Sequence, residues 1–249
     1  MSAPFSPVVV VPVFDHPQAI AGLVETLRGL GVPCLLVDDG SGPECAALLA
    51  GLAHRHPDAV SLVRLETNQG KGAAVMAGLR EAGRRGFSHA LQIDADGQHD
   101  ARDVPRFLAM ARETPDAVIN GRPIYDQSVP RARLYGRYAS HVWVWINTLS
   151  LAIRDSMCGF RVYPLAPTVA LIDREHIGTR MDFDTEIIVR LYWQGLAVRD
   201  CPTRVTYPEH GVSHFRMLRD NVRISAMHTR LFFGMLLRLP RLLARKVRG

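Results

Sequence analysis

From Val8 onward the chain alternates short, β-branched apolar runs with segments whose apolar residues recur at helical spacing. Strands buried on both faces read as near-continuous apolar runs, and a helix that covers a sheet shows one apolar stripe. The alternation therefore restricts the chain to β-α units around a largely parallel sheet. The spacing predicts strands over residues 8–14, 34–37, 60–65, 90–93 and 117–120, with helices over 17–30, 43–54, 72–85 and 101–112 between them. In the first helical segment Ile20, Leu23, Val24, Leu27 and Leu30 share a face, and Gly29 and Gly31 close it. The second half is less regular. It reads as an amphipathic helix over 131–153, a strand over 159–163, a helix over 182–193 and strand material over 198–207 broken by Pro202.

In open parallel sheets ligands sit beyond the carboxyl ends of the strands. Polar clusters follow Phe14, Val37 and Ile93, so three predicted strand tips converge on one cleft. The third tip, Asp94-Ala95-Asp96-Gly97-Gln98-His99, carries two aspartates one residue apart. In an extended segment alternate side chains point the same way, so both carboxylates are expected to face one hard divalent cation. An ordinary surface turn would also contain Asp and Gly here. A calcium loop of the EF-hand type is excluded, because His99 and Pro105 stand where its Gly and Glu belong. Asp38-Asp39-Gly40-Ser41 offers carboxylates to a nucleobase or ribose, or else caps the helix that begins at Pro43. Asn68-Gln69-Gly70-Lys71-Gly72 looks like a phosphate-cradling loop. It lacks the P-loop spacing, and the absence of G-x-G-x-x-G argues against a dinucleotide dehydrogenase.

With 249 residues, 47% of them hydrophobic, the chain can bury a full core. Cys34, Cys45, Cys158 and Cys201 have no paired spacing and follow no secretory leader, which predicts a reducing, cytosolic-side protein without disulfides or zinc. The net charge of +6 is unevenly placed. Residues 211–249 carry nine Lys/Arg against one acid, leaving 21 against 23 in residues 1–210. With no aromatic stacking motif or nucleic-acid fold signature beside that charge, a nucleic-acid partner is not expected.

Val11-Pro12-Val13-Phe14, Val37-Asp38-Asp39-Gly40-Ser41, the 68–72 loop, the 94–99 segment and Cys158-Gly159-Phe160-Arg161 together resemble the family 2 glycosyltransferases, in order and approximate spacing over residues 8–215. The closest likeness is to the dolichol-phosphate mannose synthase branch. The resemblance implies a GT-A fold, that is, a Rossmann-like, mostly parallel α/β sheet flanked by helices, over residues 1–210. A basic amphipathic helical extension over 211–249 would follow. It implies a nucleotide-diphospho-sugar donor, Mg2+ or Mn2+, and inversion at the anomeric carbon. Pro12, Phe14 and His16 would line the nucleoside pocket, with Val37 and Asp39 on the base. Asp94, Ala95 and Asp96 would handle ribose and metal, Gln98 would complete the metal site, and Lys71 and Arg122 would approach the donor phosphates. Arg137 and Ser140 fall at diphosphate or acceptor-phosphate positions, and Arg161 joins the catalytic set. A hydroxyl acceptor would need a base, for which Asp184 or Glu186 is the candidate, and a phosphate acceptor would not. The alternative for both acids is the solvated first turn of a helix. Where the branch ends a basic lid in Lys, this chain has His214, followed by Arg216, which puts the polyprenyl-phosphate acceptor in question.

Residues 215–247 interleave arginines with Leu231, Phe232, Phe233, Leu236 and Leu237, but their apolar run stops at Arg238, short of the ~20 residues a spanning helix needs. The expectation is a helix lying on the inner face of the cell membrane, against the alternative of one packed on the domain with a solvated arginine face. The stretch from Trp143 to Ile153 suits either an interface or a core helix. The leading expectation is a glycosyltransferase acting on a lipid or polyprenyl-phosphate acceptor, in a polyprenyl-phosphate sugar pathway or in making a glycosylated lipid or pigment such as an aryl polyene. The rivals are a sugar-phosphate nucleotidyltransferase and a non-catalytic nucleotide-binding membrane scaffold.

Overall fold

The computed structural model describes residues 4–125, 131–206 and 217–248. Its centre is a seven-stranded sheet of order β3-β2-β1-β4-β6-β5-β7. The strands are β1 (Pro7–Val13), β2 (Cys34–Asp38), β3 (Val60–Arg64), β4 (His89–Gln92), β5 (Val118–Tyr125), β6 (Arg161–Pro164) and β7 (Val198–Val205). The expected parallel character holds for β1 with β2 and β4, β2 with β3, and β5 with β7; β6 alone runs against its neighbours β4 and β5.

The strand period of two divides the core. Val9, Val11 and Val13 of β1 face the helices α1 (Pro17–Gly29), α2 (Pro43–Arg55) and α4 (Val104–Glu113). Val8 and Val10 face the other layer, made by α3 (Lys71–Arg84), α6 (Leu165–Arg174) and α7 (Phe183–Trp193). A third apolar cluster joins Val144 of α5 (Arg131–Thr148) and Ile188 of α7 to Met227 and Leu231 of α8 (Met217–Arg248).

Three elements differ from the expectation, the first being β7, which runs unbroken through Pro202 in register with Arg122. Helix α5 stops at Thr148 although apolar residues continue to Ile153, because Leu149 turns into the left-handed region (φ 51°) and the Ser150 N–H closes back on the Trp145 carbonyl at 3.2 Å. Helix α6 was not expected. Its buried face is Leu165, Thr168, Leu171 and Ile172, spaced three and four apart behind Pro164.

Helix α8 is held to the domain by its arginines. Arg230 pairs with Glu186 of α7 at 3.0 Å, and Arg238 and Arg245 lie 4.7 Å over the rings of Trp193 and Tyr192. Outward it presents Phe233, Leu236, Leu237 and Leu243. Both sequence readings of the tail placed its arginines in solvent or lipid headgroups. The rings of Trp193 and Tyr192 draw two of them inward instead, and the Glu186 carboxylate draws a third. No helix among the described residues is long and apolar enough to cross a membrane.

Candidate active site

The tips of β1, β2 and β4 meet as expected, but their side chains do different work. Asp15 and Ser41 staple the first two tips: the Asp15 N–H donates to Ser41 Oγ at 3.1 Å, and the Gly42 N–H to Asp15 Oδ1 at 2.8 Å. Phe14 and His16 stand partly exposed in this loop, while Pro12 is buried in β1 in register with Val37. Val37 packs beneath α3, where a Cβ on Gly78 would come within 2.9 Å of its methyl group, so its side chain faces the core and not a base. Ala95 likewise belongs to the core. Asp38 is the turn residue of its motif, accepting from the Ser41 N–H and pairing with Arg64.

The 68–72 loop is not a free phosphate cradle. The N–H groups of Gln69 and Gly70 donate to the two carboxylate oxygens of Asp39 at 2.8 and 2.9 Å. Gly70 (φ 107°) also backs so closely on Thr179 and Arg180 that no Cβ fits. Burial pushes the Asp39 carboxyl up, and those two N–H groups and Arg180 oppose it. The resemblance put Asp39 on the base; its carboxylate ties the loop to β2.

Strand β4 ends at Gln92, so Asp94 and Asp96 do not alternate along an extended strand. Asp96 sits in a turn, where its Oδ1 accepts the Gln98 N–H at 3.0 Å around Gly97 (φ 73°). The two carboxylates nevertheless share one field. Burial pushes both upward, and the charge of Asp94 raises Asp96 further. Asp94 Oδ1 and the neighbouring His99 Nδ1 are buried with no hydrogen-bond partner, and burial holds the His99 imidazole down to about 4. An unpaired carboxylate oxygen beside a second desolvated carboxylate fits a divalent cation, which would relieve both. Among the described residues no three His, Cys, Asp or Glu side chains form a metal cage. Mg2+ is commonly held by one or two carboxylates together with substrate phosphates, and two aspartates stand here.

Beneath these aspartates lies a buried polar row that pattern reading missed in part. The register places Gln92, Arg161 and Asn120 side by side across β4, β6 and β5. Arg161 is completely buried and directs its donors to Asn120 Oδ1, Tyr163 Oη and the carbonyls of Asp184, Ser156 and Cys158. A guanidinium has five N–H donors, so Arg161 is a bolt between strands, and its expected place in the catalytic set does not fit this geometry. Lys71 bridges Asp94 Oδ2 at 2.7 Å and Asp184 Oδ2 at 2.8 Å. Burial opposes its charge, but the Asp184 and Asp94 charges outweigh that and hold the ammonium above its ordinary range.

Glu186 is fully buried, with Oε1 accepting from Arg190 and Oε2 from the Gly178 N–H and Arg230. No lone oxygen of it faces the cleft, so the expectation that it serves as a base does not fit this geometry. Arg137 on α5 forms a two-pronged pair with Asp155 at 2.6 and 2.7 Å. The Oγ of Ser140 faces His228 of α8 at 3.4 Å. Arg122 lies on β5 near Asp200, whose carboxyl burial pushes up while Asn120, Arg154 and Arg122 oppose it. His214 and Arg216 lie outside the described residues.

A GT-A sheet with paired aspartates at the tip of β4 defines the nucleotide-handling transferase class. Residues 8–179 match the model of Glycosyl transferase family 2. The chain belongs to that family and is a glycosyltransferase. It is 28% identical over 221 residues to the polyprenol monophosphomannose synthase of Mycolicibacterium smegmatis, covering 86% of this chain and 82% of that relative. It is 27% identical over 215 residues to the undecaprenyl-phosphate mannosyltransferase of Micrococcus luteus, covering 84% and 86%. In fold it resembles glucosyl-3-phosphoglycerate synthase from Mycobacterium tuberculosis, with a TM-score of 0.66 at 14% identity over 94% of this chain and 80% of that one. A mannosyltransferase from Pyrobaculum calidifontis in complex with GDP-Man and Mn2+ gives 0.58 at 15% identity, covering 96% and 73%.

Proposed function

We propose that the protein moves a hexose from a UDP- or GDP-sugar to the phosphate of a polyprenyl phosphate at the inner face of the cell membrane, with Mg2+ or Mn2+ at Asp94 and Asp96. The observation that carries this reading is the partnerless Asp94 Oδ1 beside the half-buried Asp96 carboxylate, at the strand tip where a GT-A sheet receives its donor. The acceptor class is supported by the names of the relatives that match most of this chain. When bound, the cation would neutralise charge growing on the leaving diphosphate.

In the transfer an oxygen of the acceptor phosphate bonds to the anomeric carbon. The bond from that carbon to the donor's phosphate oxygen breaks, its electron pair leaves with the nucleoside diphosphate, and the configuration inverts. The acceptor oxygen arrives ionised, so no proton has to be removed, which agrees with Asp184 and Glu186 being committed inside the protein. Arg137, aligned by Asp155, and Arg122 would hold phosphates around the reacting carbon.

A lipid acceptor requires approach to a bilayer. Tyr138, Val142, Trp143 and Ile146 on α5 and Phe233 and Leu237 on the adjoining α8 are exposed, an apolar surface suited to lying in the headgroup region. In thermal-shift assays UDP- or GDP-sugars should raise Tm only with Mn2+ or Mg2+, and Asp96→Ala should remove the shift; metal-independent stabilisation would refute the donor site. Phe233→Glu with Leu237→Glu should release the protein from anionic liposomes. Retained binding would refute the membrane face.

A further inference from the structure

Asp184 was a candidate base on sequence grounds, yet its surroundings are those of a fixed anion. It is 4% exposed. Oδ2 accepts from Lys71 at 2.8 Å and Oδ1 from Gln92 Nε2 at 3.0 Å. Gln92 Oε1 in turn accepts from Tyr163 Oη at 2.9 Å, and the Tyr163 hydroxyl accepts from Arg161. Every link is buried, so the chain of donors runs from Arg161 to Asp184 with one orientation available at each step. Burial pushes the Asp184 carboxyl up, and Lys71 and Arg161 more than reverse this, leaving it below its ordinary value and a weak proton acceptor.

The other end of the bridge is Asp94. Lys71 takes Oδ2 at 2.7 Å and leaves Oδ1 without a partner. Behind the carboxylate stands Gly159, where an added Cβ would lie 2.3 Å from Oδ2 and 2.7 Å from Oδ1; its three nearest contacts would all be atoms of Asp94. Lysine on one oxygen and bare backbone behind the group leave the side chain a single seat.

We infer that Lys71 and Asp184 are a positioning pair that splits the work of the two Asp94 oxygens, holding Oδ2 so that Oδ1 is presented to the divalent cation. The inference rests on the donor-site reading above and gives it a mechanism: Asp184 acts through Lys71 and Asp94 and has no proton to move. The pair also sets the charge of the site. Without Lys71 three carboxylates would crowd one pocket; with it, the cation meets a net charge that still leaves attraction for a diphosphate.

The test is Mn2+ binding followed by electron paramagnetic resonance on the full chain, with UDP and separately GDP, together with kcat and KM across pH. Asp184→Asn should weaken Mn2+ binding about 10–100-fold, the usual cost of losing support for a metal ligand, and should remove no limb of the kcat–pH profile. Gly159→Ala meets Asp94 first, leaves Lys71 and Asp184 unsubstituted, and should weaken Mn2+ by a similar factor, which guards against a misfolded Asp184 variant. Unchanged Mn2+ affinity in Asp184→Asn with a lost pH limb would overturn the positioning role and restore the base. Wild-type protein that binds no Mn2+ with either nucleotide would overturn the donor site itself.

Discussion

Two buried acidic clusters, both built on the first turn of α7, are held in opposite ways. At the front, Lys71 bridges Asp94 and Asp184 with Asp96 close by, and Arg161 reaches only the Asp184 main chain; one carboxylate oxygen has no partner, and Asp94 and Asp96 are pushed above their ordinary range. At the back, Glu186 and Glu175 share four arginines, Arg174, Arg190, Arg230 and Arg238, and both oxygens of Glu186 are satisfied. Asp184 and Glu186 are two residues apart, yet one belongs to a pocket short of positive charge and the other to a closed anchor. A deficit of that kind is what a cation-dependent site keeps in reserve, and an anchor has no use for it.

The largest effect expected to separate the clusters is on turnover. Asp96→Ala should reduce kcat/KM by about 10²–10³-fold, the scale of losing one stabiliser of developing charge. Removing one of two repelling carboxylates should at the same time raise the Tm of the metal-free protein by about 2–4 °C. A fall in Tm would mean that Asp96 stabilises the fold and that the comparison is wrong. Glu186→Gln should behave oppositely. Breaking ion pairs whose carboxylate is fully buried costs about 3 kcal/mol of stability in denaturant titrations, while kcat and KM of the remaining folded protein stay near wild type. Loss of kcat at unchanged stability would return Glu186 to the catalytic set.

This contrast was only half legible in the residues. Strand β1 through helix α4 could be read because each element announces itself within a few residues: Val8–Val11 is a continuous buried run, and Ile20, Val24 and Leu27 mark one helix face. The tip of β4 was found for the same reason. What local pattern could not supply was the partner of each charge. Lys71 and Asp184 are 113 positions apart, and Lys71 looked like a phosphate ligand because its loop resembles one. Asp39 was assigned to the donor and Arg161 to the catalytic set because their motifs were right, whereas tertiary packing has committed their polar atoms to the protein. The clue that was present is register: Gln92, Asn120 and Arg161 are polar residues inside otherwise apolar strands, and such residues need one another.

A smaller effect is expected where the back cluster reaches α8. Arg230 is half exposed, so water already screens its pair with Glu186, and Arg190 and the Gly178 N–H still satisfy the carboxylate when it is gone. Arg230→Ala should cost about 1 kcal/mol, well below Glu186→Gln. Equal losses would show that α8 is held chiefly by this pair and not by Met227, Leu231 and the ring contacts of Arg238 and Arg245.

The smallest effect lies at the seam between α5 and α8, away from both clusters. His228 is 6% exposed, its Nδ1 has no partner, its Nε2 is 3.4 Å from Ser140 Oγ, and its ring lies 6.2 Å from that of Trp143. Burial holds the imidazole down to about 4, against 6.5 in the unfolded chain, so the folded state requires it neutral. The unfolded chain therefore takes up a proton first. The contribution is intact above pH 6.5 and is lost progressively as pH falls from there towards 4. At pH 6 it should amount to less than about 1 kcal/mol. His99 and His141, also depressed by burial, add acid sensitivity of their own, so the quantity to measure is the difference between wild type and His228→Leu. The stability of the variant relative to wild type should rise as pH drops from 7 to 5. Parallel pH curves would show that His228 keeps its ordinary titration and that the α5–α8 seam admits water.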